Sequence, residues 1–155
     1  MKKSLLLILI FIATLSQAQT KILQATKQPW AGGIAGYTGV NYFVQLSMKV
    51  KDSLVIDSIY INGKGYNVVN TNNDTATPHY FKWKENNKPV INLIFKESNF
   101  VCTLPVYTPD SLKQQTILPS IPNFKGEALI IYHLNGKRKK LIVQKFTALP
   151  QLNYP

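Results

Sequence analysis

Side chains that change character every second residue constrain this chain more than anything else in it. Tyr42, Val44, Leu46, Met48 and Val50 fall on one side of an extended backbone, with Asn41, Phe43, Gln45, Ser47 and Lys49 on the other. A pleated strand sends successive side chains to opposite faces, so this is a strand with one face in a core. Ser53 to Ile61 is rich in Val and Ile, but its phase slips at Asp57-Ser58. One extra residue there returns Leu54 and Ile56 to the face of Ile59 and Ile61, which predicts a β-bulge. Asn62-Gly63 then tolerates the positive φ of a type I′ hairpin turn, with Tyr66 to Asn70 as the returning strand.

The pattern continues downstream. Thr71 to Thr77 is polar and reads as an exposed loop. His79, Phe81 and Trp83 alternate with Tyr80, Lys82 and Lys84, and Glu85 to Lys88 turns the chain. Ile91, Leu93 and Phe95 face inward while Asn92 and Lys96 face out, and Phe100 to Leu104 forms a short strand stopped by Pro105. Pro105, Pro109, Pro119 and Pro122 lack backbone donors, so residues 105 to 125 are expected to cross between two sheets, with one helical turn from Pro109 to Gln115. A last hairpin joins Ala128–Leu134 to Leu141–Thr147 through Asn135-Gly136 and a lysine-rich continuation. Ala128 to Tyr132 is apolar on both faces, the signature of a strand covered on both sides. Pro150 to Pro155 is expected not to pair.

About eight short strands with almost no helical periodicity define an all-β chain. An immunoglobulin-like β-sandwich is the expected fold, spanning residues 41–149 after a glycine-rich segment at 19–40 and before a tail at 150–155. A small up-and-down β-barrel is the alternative; there Phe81, Trp83, Leu93 and Phe95 would line a cavity for an apolar ligand. An outer-membrane barrel is disfavoured because Lys82, Lys84 and Lys96 occupy the exposed faces of its strands.

Residues 1–18 read as a signal peptide. Lys2-Lys3 is a positive start, Leu5 to Ile12 an apolar run, and Ser16-Gln17-Ala18 offers small residues to a signal peptidase. The run is too short to span a bilayer as a helix. The expectation is therefore an exported chain, periplasmic or extracellular, with no transmembrane segment after cleavage. About 137 residues then remain of 155, and a domain of that size buries about two-thirds of its unfolded surface. The single cysteine, Cys102, rules out an intramolecular disulfide. The eighteen Lys and Arg, less Lys2 and Lys3, against seven acids leave a mature charge near +9. Arg138 is the one arginine, so the excess favours solubility and loose attraction to anionic surfaces over planar recognition of phosphate.

Trp30 to Gly33, Gly126 to Tyr132 and the closing Leu149 to Pro155 resemble small secreted β-rich proteins of unassigned function from Gram-negative bacteria. The resemblance implies an envelope or extracellular location and carries no catalytic residue across.

No catalytic constellation is present. Cys102 shares a face with Phe100 and Leu104 and reads as a small hydrophobe, although His79 or His133 with Asp57, Asp74 or Asp110 supplies triad partners on paper. Two distant histidines, one cysteine and seven scattered acids give no metal-ligand spacing, so no metal and no cofactor is expected. The segment Ala31 to Gly39 matches no phosphate-binding glycine motif. It gives backbone freedom between Trp30 and Tyr37, which either grip a sugar or peptide at the sandwich rim or, for Trp30, plug the core. Lys137-Arg138-Lys139-Lys140 is the densest charge cluster. On a strand its members alternate between faces, so it either steers an anionic glycan, envelope surface or acidic protein, or keeps a hairpin edge from pairing. Nucleic acid is not expected for an exported chain. The composite expectation is a non-enzymatic binding or structural module contacting protein or glycan through Trp30, Tyr37 and Lys137 to Lys140.

Overall fold

The computed structural model describes residues 20–32, 37–72, 78–99 and 120–155. Its strands are β1 (Ile22–Ala31), β2 (Thr38–Ser47), β3 (Leu54–Ile61), β4 (Lys64–Asn67), β5 (Val69–Asn70), β6 (His79–Glu85), β7 (Lys88–Asn99), β8 (Ala128–Leu134), β9 (Lys137–Val143), β10 (Thr147–Ala148) and β11 (Leu152–Asn153). Eight of these have four residues or more. Among the described residues there is no helix.

The strands form two sheets. A wide one runs β10-β1-β2-β7-β6-β5, with β11 also on β1, and a narrow one runs β4-β3-β8-β9. They stack as a β-sandwich and do not close, so the barrel alternative fails. The space between them is filled by Tyr42, Val44, Leu46, Ile91, Leu93 and Phe95 from the wide sheet and Leu54, Ile56, Ile59, Ile61, Ala128 and Ile130 from the narrow one. Each large aliphatic or aromatic chain buried here contributes about 1.5–3 kcal/mol.

The bulge lies where the phase slip predicts it. Ile56 pairs with Tyr132 and Ser58 with Ile131, leaving Asp57 as the extra residue. Leu54, Ile56, Ile59 and Ile61 thereby all enter one core, each at most 1% exposed. Asn62-Gly63 and Asn135-Gly136 make two-residue turns with φ of 50°, 71°, 51° and 77°. Asn86-Asn87 does the same between β6 and β7. β8 is covered on both sides: Ala128, Ile130 and Tyr132 face the main core, while Leu129 and Ile131 meet Tyr60, Phe124 and Ile142 on the outer face.

Several expectations are corrected. Val50 is 82% exposed because β2 ends at Ser47 and the chain turns. The returning strand splits: β4 stays in the narrow sheet, while β5 pairs parallel with β6 in the wide one. Phe81 and Trp83 do not share a face with Leu93 and Phe95. Tyr80 pairs with Leu93 and is 1% exposed, whereas Trp83 is 61% exposed. β6 enters the core only at its start, where Tyr80 is buried, whereas inward-facing Lys82 and Lys84 farther along the strand reach water. The tail does pair, since Leu152 and Asn153 lie parallel to Trp30 and Ala31. An edge strand needs hydrogen bonds on one side only, and Pro150 sits in the gap between β10 and β11. That gap faces Pro29 of β1. Lys27 and Ala31 accept bonds from Leu149 and Tyr154, so alternate β1 residues point at this edge and the missing Pro29 N–H falls where no strand needs it.

Residues 22–31 thus supply a ten-residue strand that lies ahead of residue 41. β7 and β8 lie in different sheets, so the chain between them does cross over. The expected strand at Phe100–Leu104, the helical turn at Pro109–Gln115, Cys102, Asp74 and Asp110 lie outside the described residues, as does most of the loop at Thr71–Thr77.

Candidate functional site

Antiparallel pairing of β1 with β2 sets Trp30 opposite Gly39 on the outer face of the wide sheet. The indole sits against that glycine: a Cβ at position 39 would come 2.5 Å from the ring and also strike the Glu97 carbonyl. Glycine is needed here for close approach. Trp30 therefore packs on the outside of the sheet and does not plug the core.

Two tyrosines flank it. Tyr37 meets the indole edge-on at 4.9 Å between centroids, and Tyr154 does so at 6.1 Å. Gly32 N–H donates to the Tyr37 carbonyl at 2.7 Å, drawing together the strand ends around residues 33–36, which lie outside the described residues. Tyr154 N–H donates to the Ala31 carbonyl at 2.8 Å and brings the tail alongside. Tyr37 is 36% and Tyr154 51% exposed. Trp30 and Tyr37 are thus brought together as a rim cluster, and Tyr154 joins them from the far end of the sequence. Sequence reasoning missed Tyr154 because the tail was expected to be unpaired. The trio is a partly exposed cluster of large rings that each carry a polar N–H or O–H, the side chains enriched where apolar and wet surroundings meet.

Lys137, Arg138, Lys139 and Lys140 are far from that cluster. They are all exposed and open β9, which forms one edge of the narrow sheet. The Asn62 turn bonds to Tyr42 and Glu97 near the Trp30 end, whereas Lys137 opposes Leu134 at the end where Leu54 begins β3. The cations and the aromatic trio therefore sit at opposite ends of the sandwich. Among the described residues no acid pairs with any of the four cations.

Between the sheets, at the end nearer the trio, a cleft of about 280 Å³ is lined by Lys27, Tyr42, Asn62, Phe124, Glu127 and Phe146. Glu127 Oε2 accepts from Phe146 N–H and Lys27 Nζ, both at 3.1 Å. Asn62 Nδ2 donates to the Tyr42 hydroxyl at 2.9 Å and to Glu97 Oε2 at 2.7 Å. The Phe146 amide, then the Lys27 ammonium, hold the Glu127 carboxyl below its usual range. Burial pushes the Tyr66 phenol up, with the Glu97 charge adding to it. Nothing in the sequence announced this network, whose members are up to 100 positions apart. A general acid needs a raised carboxyl, and Glu127 moves the other way. One set of bonds ties β1 and Phe146 to the start of β8, and the other ties the β3–β4 turn to β2 and β7.

His133 Nδ1 lies 3.1 Å from Asp57 on the outer face of the narrow sheet, while His79 is buried against Phe81 in the wide one. Among the described residues no group of three or more His, Cys, Asp or Glu side chains converges as a metal site. Among them, too, no helix is long and apolar enough to cross a membrane. No family model, curated protein or solved structure matches the chain.

Proposed function

We propose that this is an exported, non-enzymatic binding module of the cell envelope or exterior that contacts a protein or glycan through the end of the sandwich bearing Trp30, Tyr37 and Tyr154. One observation carries the reading. Three large aromatic rings from β1, the start of β2 and the C-terminal tail converge at one rim with two of them over a third exposed. Holding such rings at a wet surface forgoes burial that the core would reward, and the glycines at 32 and 39 are spent on seating them. The leader at residues 1–18 supports export. The exposed cations of β9 make a second, anion-attracting surface at the other end.

The test is a screen of the mature chain against immobilised envelope glycans and extended peptides, repeated with Trp30→Ala and Tyr154→Ala. The expected result is at least one ligand whose affinity falls about tenfold or more in both variants and is unchanged in Trp83→Ala. Ligands that bind all three variants alike would refute the aromatic rim as the site.

A further inference from the structure

The cations of β9 pose a geometric problem for any flat partner. Lys137 and Lys139 share the inner face with Leu141 and Val143, whereas Arg138 and Lys140 share the outer face with Ile142. A lipid surface or a single polysaccharide chain lying on either face meets two of the four. A strand laid against the edge meets all of them, because its own side chains alternate in the same way.

Among the described residues the edge is open to receive one. β9 has β8 on one side and, among the described residues, no strand on the other. Leu134 and Lys137 close a two-residue turn, and Val143 C=O accepts from Glu127 N–H, so Lys137, Lys139, Leu141 and Val143 spend their backbone groups on β8. The N–H and C=O groups of Arg138, Lys140 and Ile142 therefore point away from the sheet. Four like charges on such an edge repel a second copy of this chain. The same charges attract an acidic strand, with Leu141 and Ile142 next in line to meet apolar residues.

We propose that β9 is a strand-addition site for an extended acidic peptide segment. The segment adds a fifth strand to the narrow sheet, carries acidic side chains opposite Lys137 to Lys140, and carries apolar ones opposite Leu141 and Ile142. This deepens the reading of β9 as an anion-attracting surface and rests on that part alone. The backbone supplies the bonds and the cations select the partner.

The probe is a labelled peptide of four consecutive glutamates flanked on each side by Val-Thr, measured by fluorescence anisotropy against the mature chain. Two further versions are N-methylated at alternate residues, one in each phase. Strand addition predicts that one phase loses affinity at least tenfold while the other binds like the parent. It also predicts slowed amide exchange at Arg138 and Lys140 on binding, and a loss of at least tenfold in K137Q/R138Q/K139Q/K140Q. Trp30→Ala leaves the affinity unchanged. Equal affinity of the two phases, displacement by an anionic polysaccharide without exchange protection at Arg138 and Lys140, or no binding overturns the proposal. The first two outcomes would leave charge attraction at β9 standing, and none of the three touches the aromatic rim.

Discussion

Single side chains at the Trp30 end decide how firmly the candidate site is held. Glu127 links Lys27 of the wide sheet to Phe146 between β9 and β10, and its carboxyl lies below the ordinary value of 4.5 because both contacts favour the anion. A lowered folded-state pKa means the contribution is complete above the ordinary carboxylate range and is lost as pH falls through the lowered value. Glu127→Gln keeps the shape and removes the charge. The expected cost is about 1 kcal/mol at neutral pH, small because the pair is over a third exposed. Urea midpoints of the two proteins should converge in acid; a difference that persists there would place the effect in packing. Gly39→Ala acts by crowding: a Cβ meets the Trp30 indole and the Glu97 carbonyl, so a loss of about 1–3 kcal/mol is expected in thermal unfolding. Of these residues, Trp30 and Tyr37 were legible in sequence because a glycine-rich stretch separates two aromatics. Lys27, Glu97 and Glu127 were not, because their contacts join positions that only the sandwich brings together.

At the scale of elements, local signals were reliable where a strand is covered by both neighbours and the opposite sheet. The alternation in β2 and β7, the Asn-Gly turns and the bulge at Asp57 all follow from a core that accepts every second side chain. They failed at margins. β6 carries Phe81 and Trp83 outward and Lys82 and Lys84 inward, with Tyr80 alone reaching the core from its start, and no local pattern encodes how far a facing sheet extends. β10 and β11 were hidden by prolines that an edge tolerates. The bulge gives a sharp test. Deleting Asp57 turns Leu54 and Ile56 to solvent or forces Ile59 and Ile61 out, so at least two large side chains leave the core. The expected loss is about 4 kcal/mol or more by urea denaturation, a large part of a domain's total stability. Asp57→Ala keeps the bulge and gives up an exposed pair with His133, at a cost under about 1 kcal/mol. Similar losses in the two proteins would contradict the role assigned to the extra residue.

At the scale of the whole molecule, the two sheets place different chemistry at opposite ends: clustered, edge-on aromatics on the rim of the wide sheet and a cationic edge on the narrow one. Side chains of both sheets fill the core, and the surfaces proposed for binding lie at a rim and at an edge. The chain has two tryptophans, Trp30 and Trp83. Both lie on the outer face of the wide sheet, one inside the aromatic trio and one alone at 61% exposure. Their indole N–H resonances therefore separate specific binding at the rim from adhesion to any exposed ring. Titration of the isotope-labelled mature chain with a ligand from the glycan and peptide screen should shift the Trp30 indole signal and leave that of Trp83 in place. A shift of Trp83 with Trp30 unmoved, or of neither at saturation, would contradict the aromatic rim as the working surface of this protein.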